Sequence, residues 1–307
     1  MSAQVRALVI GGNGFIGSHL VDALVLAGQK VRVFDRNAEL YRPPLEGVDY
    51  RLSDFGDVPA LAEAIEGVDI VYHLISTTVP STSNLDPVSD IQGNLINSVR
   101  LFQLMVQKGV SRIVFLSSGG TVYGNPDVSP IPETHPLRPI CSYGAVKVAI
   151  ENYLFMFQSL YELKPIILRA SNPYGERQGH SGVQGVIGTF LQNIMLGEQI
   201  KIWGDGSVVR DFIYVADLAR LCAKAGASDY CGVLNAGSGI GHSILDVLKV
   251  SLGVADCIME PMFKHGRAYD VPNVVLDVSK AEQKLGWKAE VDLFQGVCKT
   301  WLWMKNS

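Results

Sequence analysis

The sequence predicts an α/β chain, with a doubly wound parallel sheet followed by a smaller C-terminal α/β domain. Three observations lead there. Short apolar runs that read as strands alternate with longer helical stretches through residue 170. The first strand runs straight into a glycine turn, and polar residues gather where strands end. That pattern belongs to parallel strands joined by crossover helices, which take ligands at the carboxyl ends of the strands.

Residues 5–10 form the first strand, followed by Gly11-Gly12-Asn13-Gly14-Phe15-Ile16-Gly17 and an apolar periodic stretch over 18–27. The glycines let the backbone turn tightly and approach a pyrophosphate, whose charge sits on the open amides at the helix start. The spacing is Gly-x-x-Gly-x-x-Gly, a departure from the standard Gly-x-Gly-x-x-Gly fingerprint. A second strand, 31–34, ends at Asp35, placed to hold the ribose hydroxyls of an adenosine. The cofactor expected is therefore NAD, bound in a Rossmann-type fold. Arg36 can meet a 2′-phosphate, so NADP is disfavoured but still open.

Further strands are expected at 49–52, 69–74, 112–117 and 166–169, with helices at 58–66, 87–108 and 142–163. The strand ends carry Ser53-Asp54-Phe55, His73-Leu74-Ile75-Ser76, Ser117-Ser118 and Ala170-Ser171-Asn172. Leu74, Ile75 and Ser117 are thus candidates to line the dinucleotide, while His73 reads as a packed core histidine. Beyond 172 the strands become short and irregular. That predicts a cofactor domain over 1–172, with room for later segments to return to it, and a mainly substrate-binding domain over 173–307. The stretches 58–66 and 293–303 read as structural.

Tyr143 and Lys147 lie four apart on a predicted helix, and so on one face, one turn apart. A free tyrosine ionises near ~10, so it becomes a useful base at neutral pH only when a cation lowers that value. Upstream, Ser117-Ser118-Gly119-Gly120-Thr121-Val122-Tyr123-Gly124 offers hydroxyls at a strand end. Together these groups suit moving a proton on and off an alcohol or sugar oxygen.

The whole chain narrows the function classes. At 307 residues and a net charge of −4, without a basic run, it is not expected to bind nucleic acid. Five scattered cysteines (Cys141, Cys222, Cys231, Cys257, Cys298) fit reduced thiols in a cytoplasm. Six histidines form no ligand-spaced cluster, so no metal is expected. No apolar stretch nears twenty residues and the N-terminus passes straight into a strand, so neither a membrane span nor a leader is expected.

With the glycine turn, Asp35, Tyr143 and Lys147 in place, the sequence resembles the extended short-chain dehydrogenase/reductases. Within them it resembles the NAD-dependent sugar-nucleotide epimerase/dehydratase family, and most closely the UDP-hexose 4-epimerases. Distal motifs match in order: Arg169-Ala-Ser-Asn172-Pro-Tyr-Gly175, Gly204-Asp-Gly206-Ser-x-x-Arg210-Asp211-Phe, Arg267-x-x-Asp270-x-Pro272 and Leu285-Gly286-Trp287. The resemblance implies sugar-diphosphate contacts from Asn172, Arg210 and Arg267, and a nucleoside-ribose contact from Asp270. It sets Lys201 and Trp203 beside the uracil, Asp54 and Phe55 at the adenine, and Asn94 near the cofactor. It also implies a homodimer packed through the helices at 87–108 and 142–163.

There is one departure. Gly119 stands where many 4-epimerases carry the catalytic Ser or Thr. The hydroxyl role then passes to Ser118 or Thr121, with Ser118 preferred because one residue is easily absorbed by a strand-end bulge beside two glycines. Gly119-Gly120 also disfavours dehydration and decarboxylation, which need acidic residues there. The expected reaction is 4-epimerisation of a UDP-hexose or a UDP-N-acetylhexosamine. Val274, at a position that gates the sugar pocket in the family, is small enough for an acetamido group. The alternatives are a UDP-uronic acid 4-epimerase, with Arg177 or His180 facing the carboxylate, a sugar-nucleotide 4-ketoreductase, and a non-catalytic NAD-binding regulator.

Overall fold

The structure is a computed structural model that describes residues 4–178, 185–266 and 271–306. Strand β1 (Arg6–Ile10) buries its last four residues, as a strand covered on both faces must. The chain continues through α1 (Phe15–Leu26), β2 (Lys30–Asp35), β3 (Asp49–Leu52), α2 (Val58–Ile65) and β4 (Ile70–His73). Asp57 caps α2, accepting from Ala60 N at 3.1 Å.

The sequence suggests one unbroken helix over 87–108, and here the structure differs. Helix α3 (Pro87–Asp90) passes into a π turn at Ile91–Ile96 before α4 (Asn97–Gln107) resumes the regular helix. Asn94 and Ser98, four residues apart, both face inward. Ser98 Oγ lies 2.6 Å from Asn94 O and 2.8 Å from His73 Nε2.

The remaining elements of the first half are β5 (Arg112–Ser118), α5 (Ser142–Tyr161) and β6 (Lys164–Ala170). They are followed by β7 (Asn172–Tyr174), α6 (Val186–Leu196), β8 (Lys201–Trp203), β9 (Val209–Tyr214), α7 (Val215–Ala227) and β10 (Gly232–Ala236). Last come β11 (Gly241–Ser243), α8 (Ile244–Ala255), β12 (Met262–Lys264), β13 (Asn273–Val274), α9 (Ser279–Leu285) and α10 (Leu293–Asn306).

A seven-stranded sheet runs in the order β10-β6-β5-β4-β1-β2-β3. Its strands pair in parallel, for example Ile10 opposite Phe34 on one side and opposite His73 on the other. The strand order reverses between β1 and β4, and the crevice outside the carboxyl ends at such a point is where open α/β sheets take their ligands. The two loops that leave this point are the glycine turn and the segment starting at Leu74.

The chain groups into two compact units. One comprises residues 1–122, 139–169 and 219–234; the other comprises 123–138, 170–218 and 235–307. In the second, β9 carries β11 antiparallel and β13 and β7 parallel, while β12 pairs with β8. Its core is built from Phe190, Leu191, Val247, Leu248 and Val297 of α6, α8 and α10. Asp211 on β9 is fully buried and accepts from Ser238 N (2.8 Å), Ser238 Oγ (2.7 Å), Gly239 N (3.2 Å) and Leu276 N (3.3 Å). Burial pushes its carboxyl up, and these donors pull it back. The residue after Arg210 in the substrate-domain motif thus organises backbone.

In the first unit a buried ion pair ties α5 to the sheet. Glu151, 0% exposed, accepts from Arg169 Nη2 at 2.7 Å and from Ser117 Oγ at 2.5 Å. Removing one member of such a pair leaves an uncompensated buried charge. The expected cost of Glu151→Ala is about 3–5 kcal/mol, read as a lowered urea midpoint at unchanged slope. An unfolding free energy within about 0.5 kcal/mol of wild type would show that the pair does not brace the helix.

Candidate functional site

The cofactor turn follows from local backbone demands. Gly11 has φ +84 and donates its N–H to Phe34 O at 2.9 Å. A Cβ at Gly17 would overlap the carbonyl of Gly11, so helix α1 can start this close only with glycine there. Gly14 is the N-cap and supplies no side-chain cap, so the amides opened by Phe15 and Ile16 are not covered by the helix's own sequence. Asp35 ends β2 and is buried; its carboxylate accepts from Asn13 N (3.1 Å) and Asn37 N (3.0 Å). Asn13 Oδ1 is buried and has no hydrogen-bond partner. Uncapped amides at a glycine turn, with a braced carboxylate at the next strand end, fit a dinucleotide such as NAD. Ile75 borders the turn: its amide nitrogen lies 3.1 Å from where a Cβ of Gly11 would stand. Leu74 N donates to Ile10 O at 3.1 Å, which fixes the exit of β4.

Two expected cofactor contacts are corrected as side-chain roles. Phe55 is buried in the core, with its ring 5.2 Å from that of His73, so it does not offer its face to an adenine. Ser117 spends its hydroxyl on Glu151. In both cases the side chain is claimed by packing inside the sheet layers, leaving only backbone for a ligand. Asp54 is exposed and accepts from Gly56 N at 2.8 Å. His73 is a core residue: it sits between Phe55 and Phe115, and burial drives its pKa down to about 3.

Tyr143 and Lys147 lie in the opening turns of α5, as their spacing predicts. Lys147 is buried, donates to Leu116 O at 2.9 Å, and stands 5.6 Å from the Tyr143 ring centroid and 4.8 Å from that of Phe115. Burial lowers its pKa to about 8, against the pull of Glu151 and Asp90. Tyr143 has its phenol held protonated in the cofactor-free protein. Burial pushes the phenol up to about 12, a hydrogen bond with Ser76 lowers it, and Cys141 and Asp90 raise it. Desolvation is the largest of these effects.

Of the two candidate hydroxyls, Ser118 is half-buried at the end of β5. Thr121 Oγ1 is sealed from solvent and has no hydrogen-bond partner. The Ser118–Thr121 turn lies against α5 at Gly144, where a Cβ would come within 2.7 Å of Thr121 O.

Tyr143 is held by residues that the sequence did not single out. Cys141, the N-cap of α5, makes no side-chain cap. Instead Asn84 Oδ1 accepts from Ser142 N at 2.9 Å, and Ser83 Oγ accepts from Tyr143 N at 3.1 Å. Asp90 accepts from Ser142 Oγ at 2.7 Å, Thr78 Oγ1 at 2.7 Å and Asn94 Nδ2 at 2.8 Å. Asn94 Oδ1 in turn accepts from Thr77 N at 2.9 Å, so this asparagine shapes the loop after β4. An acid four residues before an asparagine on one helix face was a legible signal for Asp90. Ser83 and Asn84, about sixty residues upstream of the helix they cap, carried none.

The substrate-side candidates lie in the second unit. Arg210 donates through Nη1 to Val209 O (2.8 Å) and Val271 O (2.6 Å), and Asn172 Nδ2 donates to Asp211 O at 3.0 Å. Trp203 is 47% exposed and Lys201 is exposed, both on β8, so neither is core. Val274 is 2% exposed and pairs with Arg210 across β13 and β9. Arg177 holds φ +66. Arg267, Asp270 and His180 lie outside the described residues. Among the described residues no acidic, histidine or cysteine cluster is set to hold a metal, and no helix is long and apolar enough to cross a membrane.

Comparison with known proteins agrees with this geometry. The sequence model of the "NAD dependent epimerase/dehydratase family" matches residues 7–237. A UDP-glucose 4-epimerase of Mycolicibacterium smegmatis is 34% identical over 312 residues, spanning 98% of this chain and 99% of its own. The crystal structure of a UDP-glucose 4-epimerase with UDP-glucose from Thermotoga maritima superposes with a TM-score of 0.93 at 33% identity, covering 98% of this chain and 99% of that one. A UDP-N-acetylglucosamine 4-epimerase from Methanobrevibacter ruminantium, in complex with UDP-N-acetylmuramic acid, gives 0.93 at 30%, covering 99% of each. The match runs from β1 to the end of β10 and takes in the glycine turn, Asp35, Tyr143 and Lys147; the chain belongs to the NAD-dependent epimerase/dehydratase family.

Proposed function

We propose that this protein is a 4-epimerase of UDP-hexoses that also accepts UDP-N-acetylhexosamines. The observation that carries it is Tyr143 and Lys147 on one face of α5, beside a half-buried Ser118, in a chain whose relatives are named UDP-sugar 4-epimerases. Gly11, Gly14, Phe15, Ile16, Gly17 and Asp35 hold NAD, with Leu74 and Ile75 at the border of the turn. Bound NAD supplies reversible hydride acceptance at sugar C4 and a positive charge close to the site.

Tyr143 Oη takes the proton of the sugar 4-hydroxyl and later returns it to the same oxygen. Ser118 Oγ hydrogen-bonds that oxygen, a role for which Thr121, its hydroxyl closed off from solvent, is less suited. Lys147, fixed by Leu116 O, contributes positive charge and restrains the Tyr143 ring. Because the reaction removes and later restores both the proton at this oxygen and the hydride at C4, it would consume no cofactor. Arg210 and Asn172 anchor the diphosphate, with Arg267 and Asp270 as further contacts, and Lys201 and Trp203 hold the base. Substrate choice is best read from the nucleotides directly, since Val274→Tyr would overpack a buried site.

Five free cysteines and the nucleotide-sugar chemistry support a cytoplasmic enzyme. A homodimer is supported by exposed apolar residues on the two helices named for it: Val88, Ile91 and Ile96 on one, and Phe155, Met156 and Leu160 on α5. Phe155→Glu with Leu160→Glu should convert the dimer to a monomer in sedimentation. A wild-type protein that sediments as a monomer would refute the dimer.

Incubated without added cofactor, the protein should convert UDP-glucose and UDP-N-acetylglucosamine to their 4-epimers, followed by NMR. If both nucleotides came back unchanged even with NAD supplied, the epimerase reading would fail. Tyr143→Phe and Ser118→Ala should each lower kcat by roughly 10²–10⁴-fold, whereas Thr121→Ala should cost far less. Equal losses from Ser118→Ala and Thr121→Ala would undo the choice between the hydroxyls.

The pH dependence has a fixed sign. The base is the phenolate, and burial holds the phenol protonated up to about 12 unless cations oppose it, so activity rises with pH. Lys147→Met removes one of those cations and should move the acid limb of kcat to higher pH. An acid limb that stayed in place would show that Lys147 does not act on the proton of Tyr143.

A further inference from the structure

Asp90 is a carboxylate with 0% exposure, and among the described residues no basic side chain forms an ion pair with it. Its oxygens are satisfied by three neutral donors on three separate stretches of chain: Thr78 after β4, Asn94 in the π turn and Ser142 at the head of α5. Burying an unpaired carboxylate is costly, and an apolar residue of similar size would spare the fold that cost. The three contacts, at 2.7–2.8 Å, occupy both carboxylate oxygens. A group kept at this expense next to the reacting tyrosine calls for a reason other than packing.

We propose that Asp90 is a positioning residue for the proton transfer: its buried anion pins the loop after β4 and the π turn to the first turn of α5, and so sets where the Tyr143 oxygen stands and what field it feels. The inference rests on the proton-transfer role proposed for Tyr143. Ser142 is the direct link, since its hydroxyl binds Asp90 while its N–H, like that of Tyr143, is capped from the same loop by Asn84 and Ser83. The charged and titratable groups facing the site are few. Cys141 precedes α5, Lys147 and Glu151 lie on it, His73 ends β4, and Asp90 is the acid from the π-turn helix. Asp90 raises the proton affinity of both Tyr143 and Lys147, so it keeps the proton on the pair until the positive charge of the cofactor arrives.

Two variants separate position from charge. Ser142→Ala removes the tie and keeps the anion; it should lower kcat about tenfold with KM for the UDP-sugar within about twofold, and leave the acid limb where it is. Asp90→Asn removes the anion at constant shape; it should lower kcat and shift the acid limb at least about half a unit to lower pH. The same shift should be seen without substrate in the tyrosinate ultraviolet absorbance of NAD-loaded Asp90→Asn protein, taken as the difference from its Tyr143→Phe partner. If that titration matched wild type, or if Ser142→Ala kept full kcat, the proposal would be overturned. Should Asp90→Asn not fold, the Ser142→Ala kcat decides alone. A wild-type protein without turnover sinks the epimerase reading instead, and leaves the tyrosinate titration to judge Asp90.

Discussion

The proton-transfer site depends on how the first turn of α5 is held. A helix start exposes amides that nothing in the helix can satisfy, and here the residue before the helix, Cys141, leaves them uncapped. The loop after β4 supplies the missing acceptors through Ser83 and Asn84. Asp90 adds a third link through Ser142. Tyr143 is therefore placed by a loop and a helix far away in the chain.

A second constraint is electrostatic. Two buried carboxylates flank the Tyr143–Lys147 pair, Glu151 one turn along the helix and Asp90 across from its start. Glu151 pairs with Arg169, which holds α5 to β6, and it still raises the proton affinity of Lys147. Asp90 is not matched in this way, and it acts on the pair directly. Together with desolvation this keeps the phenol protonated in the cofactor-free protein. In the proposed reaction such a base would stay silent until positive charge enters, which would tie proton transfer to occupancy of the dinucleotide turn.

The second unit follows the same rule of buried anions satisfied by neutral donors. Asp211 gathers the N–H groups of Ser238, Gly239 and Leu276, so the strand that bears Arg210 is fixed by the residue next to it. Arg210 is also held through two carbonyls, Val209 O and Val271 O. A guanidinium anchored in this way loses little freedom when it meets a phosphate, which suits a diphosphate contact.

The sequence by itself determined the elements whose physics is local. Glycine at Gly11 and Gly17 answers a positive φ and a close backbone approach, Asp35 follows from the end of β2, and Tyr143 and Lys147 share a face because the helix period is 3.6. The order of strands and helices was legible for the same reason. What tertiary structure decided was which side chains remain available to a ligand. Phe55 and Ser117 stand at strand ends as the pattern requires, yet packing against His73 and Glu151 consumes their side chains. Thr121, the second choice after Ser118 in the sequence, has its hydroxyl sealed from solvent. The capping of α5 by residues about sixty positions upstream, and the unpaired charge of Asp90, arise from the folding of distant segments onto one another. Hydrogen-bond satisfaction in an interior is a property of that assembly, which no local window of sequence contains.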